Sequence, residues 1–293
     1  MQSQAQANQR IASIQTAQRV FMGGNWIEQP LPNHSFDHVG PFLLIHHWQD
    51  VLPGHQSPTE VGVGPHPHRG FSPVTCIYSG ALRHQDSTGE DHVVEAGGTQ
   101  WMNSGSGIVH SERPSDELAS RGGLLEMIQF WVNTPRAHKM DPPRYQPLAA
   151  SETPTWEENE WTVSLVQGSW GGQKSPIESP HPMRIANLKS EIQGAIMEIP
   201  LPADWVGILY VLDGSVQIEQ STLMGRQMAI LNPGTVETLK LTCSEPARIL
   251  FLSGAKIHEP IVSHGPFVMN TPGEIQQAIL DYHSGKMGEL NED

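Results

Sequence analysis

The chain has 293 residues with 28 Gly and 24 Pro against only 16% charged residues, a balance that favours a turn-rich, all-β protein of two ordinary-sized domains over a helical one. Its formal net charge of −14, from 31 acidic and 17 basic residues without a Lys/Arg run, argues against direct binding to nucleic-acid phosphates. No apolar run approaches the length of a membrane span, so no membrane association is expected.

Residues 1–18 read as a flexible N-terminal arm: Met1 to Ala17 is polar and rich in Gln, Ala and Ser, without the apolar core of a secretory leader. Two cysteines in separate strand-like runs, Cys76 and Cys243, make no framework, which fits a reducing, cytoplasmic setting and leaves a disulfide open. Cys76 is expected as a buried, inert thiol rather than a redox sensor. Asn33-His34-Ser35 matches a glycosylation acceptor, but without a leader the match is accidental. Arg19 to Ile27 predicts a first strand turning at Gly23-Gly24. Phe42 to Ile45 predicts a buried strand that leads into His46-His47-Trp48. Neighbouring strand residues face opposite ways, so at most one of those histidines could join a site, and both are read as structural.

The chemistry is concentrated in Pro65-His66-Pro67-His68-Arg69-Gly70 and Gly107-Ile108-Val109-His110-Ser111-Glu112. Each carries two metal-ligand side chains spaced i and i+2, which point to one face of an extended strand. Pro67 removes a ladder donor and argues for an edge or a bulge. His66, His68, His110 and Glu112 together make an N/O donor set for a first-row divalent metal, with room for water or substrate. One such pair alone would read as surface histidine in a chain with 15 of them; two pairs beside Gly-rich turns point to a metal site.

Between the pairs, Pro73 to Gly98 reads as a meander with a hairpin turn at Ser79-Gly80 and another at Ser87-Thr88-Gly89. Leu124 to Val132 predicts a long strand. Residues 143–160, with Pro143-Arg144-Tyr145 and the acidic run Glu157 to Glu160, are expected to link a domain at 19–142 to one at 161–293. The second half repeats the first: Ile208 to Leu212, Asp213-Gly214 and Ser215 to Glu219 predict a hairpin like that at Ser79-Gly80. Laying Gly80 on Gly214 puts Pro200 and Pro202 at the positions of His66 and His68, and laying Gly98 on Gly234 puts Pro246 at that of His110. A metal-free copy is the expectation. Glu274 to Gly285 has the period of a short amphipathic helix, with Ile275, Ala278, Ile279 and Tyr282 on one face, packing outside a barrel.

Short strands, two ligand pairs and a duplication together resemble a bicupin, and the specific strings are similar to those of the pirin family. They are Pro65 to Phe71; Gln100-Trp101-Met102, Gly105 and Gly107 to Glu112; Gln129-Phe130-Trp131-Val132-Asn133; Pro142 to Tyr145; and Gly265 to Thr271. The likeness spans roughly residues 19 to 288. It implies two double-stranded β-helix (jelly-roll-like) barrels with a short C-terminal helix. One metal ion is implied in the N-terminal barrel, held by His66, His68, His110 and Glu112. Where the family pattern has Asp in the early Leu-Leu segment this chain has His46, and Ser179 to Met183 also departs from it.

The resemblance further implies a quercetin 2,3-dioxygenase-like oxidoreductase that uses Fe(II), although the donor set equally suits Mn, Co, Ni, Cu or Zn. Its substrates would be a flavonol-like aromatic and O2, opened to a depside with loss of carbon monoxide. Glu112 is the candidate base for the 3-hydroxyl proton as well as a ligand. Trp101, Met102, Gln129 and Trp131 are candidates for the substrate pocket, against a bland alternative of strand core. Two other readings stand beside this one. The first is a non-enzymatic, iron-containing redox sensor that binds a protein partner. The second is a cupin acting on another small oxygenated substrate without O2.

Overall fold

The computed structural model describes residues 10–234 and 237–292, with 57% of the chain in strands and 9% in helices. Its contacts divide it into two compact units, each discontinuous in sequence. One comprises the segment ending at Gln18, Glu28–Pro41 and Thr153–Lys256. The other comprises Arg19–Ile27, Phe42–Glu152 and the segment from Ile257 onward. The contiguous partition expected from the sequence therefore differs at both ends, because both terminal segments pair or pack with elements far away in the chain. Residues 1–9 of the expected arm lie outside the described residues.

The first strands are β1 (Ile11–Thr16), β2 (Gln18–Met22), β3 (Asn25–Leu31), β4 (Phe42–Leu52), β5 (Val63–His68) and β6 (Phe71–Ser79). They are followed by β7 (Ala81–Asp86), β8 (Asp91–Glu95), β9 (Thr99–Asn103), β10 (Ile108–Pro114), β11 (Gly123–Asn133) and β12 (Arg144–Leu148). A four-stranded sheet in the order β5-β10-β7-β8 carries both ligand pairs, and β5 with Pro67 lies at its edge. The second sheet runs β12-β9-β6-β11-β4-β3-β2. The turn at Ser79-Gly80 is not a hairpin. β6 pairs with β9 and β11 while β7 pairs with β8 and β10, so the chain changes sheet there. Gly80 allows this with φ +79° and with Leu124 O only 2.9 Å from where a Cβ would stand. The hairpin at Ser87-Thr88-Gly89 does form, between β7 and β8. A short helix, α1 (Asp116–Arg121), is capped by Ser115, whose side chain accepts from Leu118 N.

The other unit is built from β13 (Thr155–Glu158), β14 (Trp161–Gln167), β15 (Ser169–Trp170), β16 (Gln173–Lys174) and β17 (Met183–Ser190). It continues with β18 (Ile196–Pro200), β19 (Val206–Ile218), β20 (Ser221–Met224), β21 (Gln227–Leu231) and β22 (Thr238–Gly254). The segment expected as an interdomain linker is strand at both ends: β12 pairs with β9 and β13 with β14, leaving only residues 149–154 between them. β19 runs unbroken through Asp213-Gly214, where a hairpin was expected. Both halves of β19 find their partner on β22, with register shifts on either side of Asp213. Gly214 has φ +76°, matching the corner at Gly80. β1 belongs here, paired antiparallel with β21. Arg10 anchors it, donating from its guanidinium to the carbonyls of Leu201, Pro202, Trp205 and Asn232. The core of this unit is apolar and fully buried, with Trp161, Leu209, Val211, Ile249 and Phe251 among its members.

After β23 (Val262–His264) and β24 (Phe267–Met269) comes α2 (Pro272–His283). Thr271 caps it in a capping box with Glu274, and Pro272 occupies the first turn. Ile275 and Ala278 are buried, while Ile279 and Tyr282 pack on the same cluster with Val109, Phe267 and Met287. The face read from the sequence is the face that packs, and it covers β10. The described residues contain no helix long and apolar enough to cross a membrane.

Candidate metal centre

Strand alternation places His66 and His68 on one face of β5, and the β5–β10 register sets His110 opposite His66. The three imidazoles converge: their ligand atoms all lie within 4.8 Å of one another. His68 and His110 are almost fully buried. Burial, reinforced by the crowding of like rings, pushes both of their pKa values well below the ordinary imidazole range. Both rings are thereby held toward the neutral form, in which one nitrogen of each carries a lone pair.

The Nδ1 atom of each ring is already engaged. His66 Nδ1 donates to Gly64 O at 2.8 Å, and His68 Nδ1 donates to Pro266 O at 3.3 Å. His110 Nδ1 meets His84 Nδ1 at 3.4 Å. The Nε2 atoms of His66 and His68 are thereby left with their lone pairs. His110 Nε2 is buried without a hydrogen-bond partner, an expensive arrangement unless a cation takes that lone pair. Three imidazoles, each held through its Nδ1, fit a divalent transition metal.

Glu112 does not join this group. A register shift lies between His110 and Glu112 along the β5 pairing, and the carboxylate turns to other donors. Gln129 Nε2 donates to both of its oxygens, at 2.9 and 2.7 Å, and Thr75 Oγ1 donates at 3.1 Å. Trp131 Nε1 donates to Gln129 Oε1 at 3.3 Å, and its ring stands 5.5 Å from that of His68 and 4.3 Å from Phe71. Of the four residues expected around a pocket, Gln129 and Trp131 are thus beside the site. Trp101 is fully buried and Met102 packs with Ile108 and Tyr145, so both serve the core.

A cleft of about 120 Å³ opens beside Glu112 and Gln129, walled by Met22, Ile27, His46 and Trp48. His46, read from the sequence as structural, borders this cleft from β4, where it pairs with Gln129 across the strands. Burial pushes its pKa down to about 4. His47, facing the other way, meets Glu126 at 3.2 Å in the interior. Cys76 is buried and lies in no disulfide, its Sγ 3.7 Å from Thr99 Oγ1. Two residues were missed: His84, whose Nε2 meets Asp86 Oδ2 at 2.8 Å, and Asp86 itself. Their signal was the same i and i+2 spacing on β7.

Comparison with known proteins agrees with this architecture. Residues 24–132 match the model of the pirin family, and residues 188–288 match that of the pirin C-terminal cupin domain. The molecule is a bicupin, with a histidine triad able to hold a metal in its N-terminal domain. The chain is 35% identical to pirin of Rattus norvegicus over 257 residues, 85% of this chain and 83% of that protein. It superposes on the crystal structure of quercetin 2,3-dioxygenase from Acinetobacter baumannii with a TM-score of 0.90 at 32% identity, covering 97% of this chain and 100% of the other. A bacterial pirin from Escherichia coli, solved in complex with nickel(II), shares the fold at 18% identity, with a TM-score of 0.65 and coverage of 84% and 99%. This chain belongs to the pirin family.

Proposed function

We propose that this protein is a metal-dependent dioxygenase of the quercetin 2,3-dioxygenase type, opening a flavonol ring with O2. The observation that carries the reading is the set of three imidazoles, each tied at Nδ1 and aimed with Nε2, beside a carboxylate at the wall of an apolar cleft. The similarity to the Acinetobacter enzyme supports the reaction class.

His66, His68 and His110 would hold the ion, with Glu112 as fourth ligand once its carboxylate turns from Gln129. Fe(II) is the metal we favour. When bound, it supplies Lewis acidity toward an enol oxygen and a meeting point for substrate and O2. The remaining steps belong to the chain. Glu112, a ligand that can let go, takes the 3-hydroxyl proton from the position in which Gln129 donates to both of its carboxylate oxygens. Ile27, Trp48 and Met127 exclude water from the apolar body of the substrate, while Trp131 shields His68.

The test is O2 consumption by anaerobically iron-loaded protein on adding quercetin, with a nickel-loaded sample alongside. Uptake coupled to loss of the flavonol absorbance, and abolished in His110→Ala, is expected. No uptake with metal confirmed in place would sink the proposal. A second reading, a redox-responsive protein that binds a partner, draws on the exposed aromatics Phe21 and Trp26 of the hairpin whose Met22 and Ile27 border the cleft. It predicts oxidation-dependent binding without turnover.

A further inference from the structure

We propose that Asp86 and His84 form a positioning relay that sets the tautomer of His110 and so makes its Nε2 a metal ligand. This rests on the triad being a metal site, and it concerns two residues to which no role attaches so far. The relay is read from hydrogen-bond directions. Asp86 uses its two oxygens differently. Oδ1 accepts from Thr88 N at 2.8 Å, Thr88 Oγ1 at 2.6 Å and Glu90 N at 3.3 Å, which closes the β7–β8 turn. Oδ2 is left for His84 Nε2 at 2.8 Å. A carboxylate only accepts, so His84 Nε2 carries a proton, and in the singly protonated ring its Nδ1 carries a lone pair. That lone pair faces His110 Nδ1 at 3.4 Å, so His110 Nδ1 is the donor. The proton of His110 is then on Nδ1, and the unpartnered, buried Nε2 is free to ligate.

Geometry keeps the relay in place. β7 and β10 pair antiparallel with His110 opposite Asp86 and Glu112 opposite His84, so all four side chains share one face. Tyr145 of β12 stacks flat on the His84 ring, with centroids 3.8 Å apart and planes 2° apart, which holds its orientation. His84 and Asp86 are both nearly fully buried, so water does not offer either of them a competing partner.

The arrangement makes one isosteric substitution informative. In Asp86→Asn the three turn donors claim Oδ1, so the amide Nδ2 must face His84 and donate to its Nε2. His84 then carries its proton on Nδ1 and donates to His110 Nδ1, and the His110 proton moves to Nε2, where it blocks ligation. His84→Phe keeps the ring on Tyr145 but frees His110 to sample both tautomers, so its effect is smaller. We would titrate Co(II) into wild type and both variants against a chromophoric chelator, and read the His110 tautomer in the metal-free proteins by heteronuclear NMR of histidine-labelled samples. Expected are a loss of affinity of about 10–100-fold in Asp86→Asn, a smaller loss in His84→Phe, and a switch of His110 from the Nδ1–H to the Nε2–H form in Asp86→Asn. Affinity and tautomer both unchanged in the folded variants would overturn the relay. If Asp86→Asn does not fold, His84→Phe decides: an unshifted His110 tautomer with wild-type affinity overturns the proposal. Wild-type protein that binds no Co(II) would instead remove the metal-site reading and this inference with it, whereas absence of flavonol turnover would leave both standing.

Discussion

Away from the imidazoles, the most demanding single residue is Lys139. It is almost fully buried, and its Nζ donates to Gly70 O, Asn133 Oδ1 and Val268 O at 2.6 to 2.9 Å, tying the first ligand motif to β24. Burial pushes its pKa down to about 8 from an ordinary 10.5. Between those values the unfolded chain holds the proton more tightly, so the contribution of Lys139 to stability rises with pH there and is least favourable below about 8. Urea unfolding at stepped pH should show the wild type gaining on Lys139→Met from pH 8 to 10. A constant difference would assign the ammonium no linkage. The same scale shows what alternation along a strand discloses. His66, His68 and His110 were legible because i and i+2 residues share a face. His84 and Asp86 carry that pattern too, but without knowing that β7 lies beside β10 nothing tied them to the imidazoles. Trp101 and Trp131 look alike in the sequence, and only the structure shows that the first is fully buried and the second partly exposed.

At the scale of elements, a buried ion pair helps to fasten α2. Arg69, which directly follows the first ligand pair, donates from Nη1 to Asp281 Oδ2 at 2.9 Å and from Nε to Ser106 O at 2.6 Å. Lys286, Arg69 and Gln277, all donating to Asp281, hold its carboxyl well below the usual range. A depressed carboxyl stabilises above its ordinary value of 3.8, and that stabilisation is lost as the pH falls below it. Arg69→Met leaves Asp281 short of its buried partner, for a loss of about 3 kcal/mol. Thr271→Ala removes only the cap, for about 1 kcal/mol. Hydrogen exchange across 257–292 should quicken far more in the first than in the second; equal protection would show that the ion pair does not hold the helix. The helix itself was readable, since its period and its Thr-Pro start are local. Gly80 and Gly214 were misread because a sheet-crossing corner and a hairpin turn ask for the same positive φ, and pairing partners are not local. α1 has six residues, too few to display a period.

For the whole molecule, metal binding and stability are one equilibrium. A site that ligates only in the folded state should raise stability by about 2.7 kcal/mol when free metal stands at a hundred times its dissociation constant. Calorimetry of chelator-treated and Co(II)-loaded protein should show the transition shift upward, and His110→Ala should abolish the shift; an unchanged transition in the wild type would show that no ion is held by the fold. The support of His68 by the carbonyl of Pro266 also has a bearing on biosynthesis. The two residues are 198 positions apart, so the ligand leaves the ribosome long before its support. At about 5–20 residues per second that interval lasts on the order of 10–40 s. During it, the imidazoles of a nascent chain are exposed to whatever metal the cell offers. On the metal-site reading, the order in which the chain emerges makes selective metal acquisition a late event, completed only after the last strands have been delivered to the first barrel.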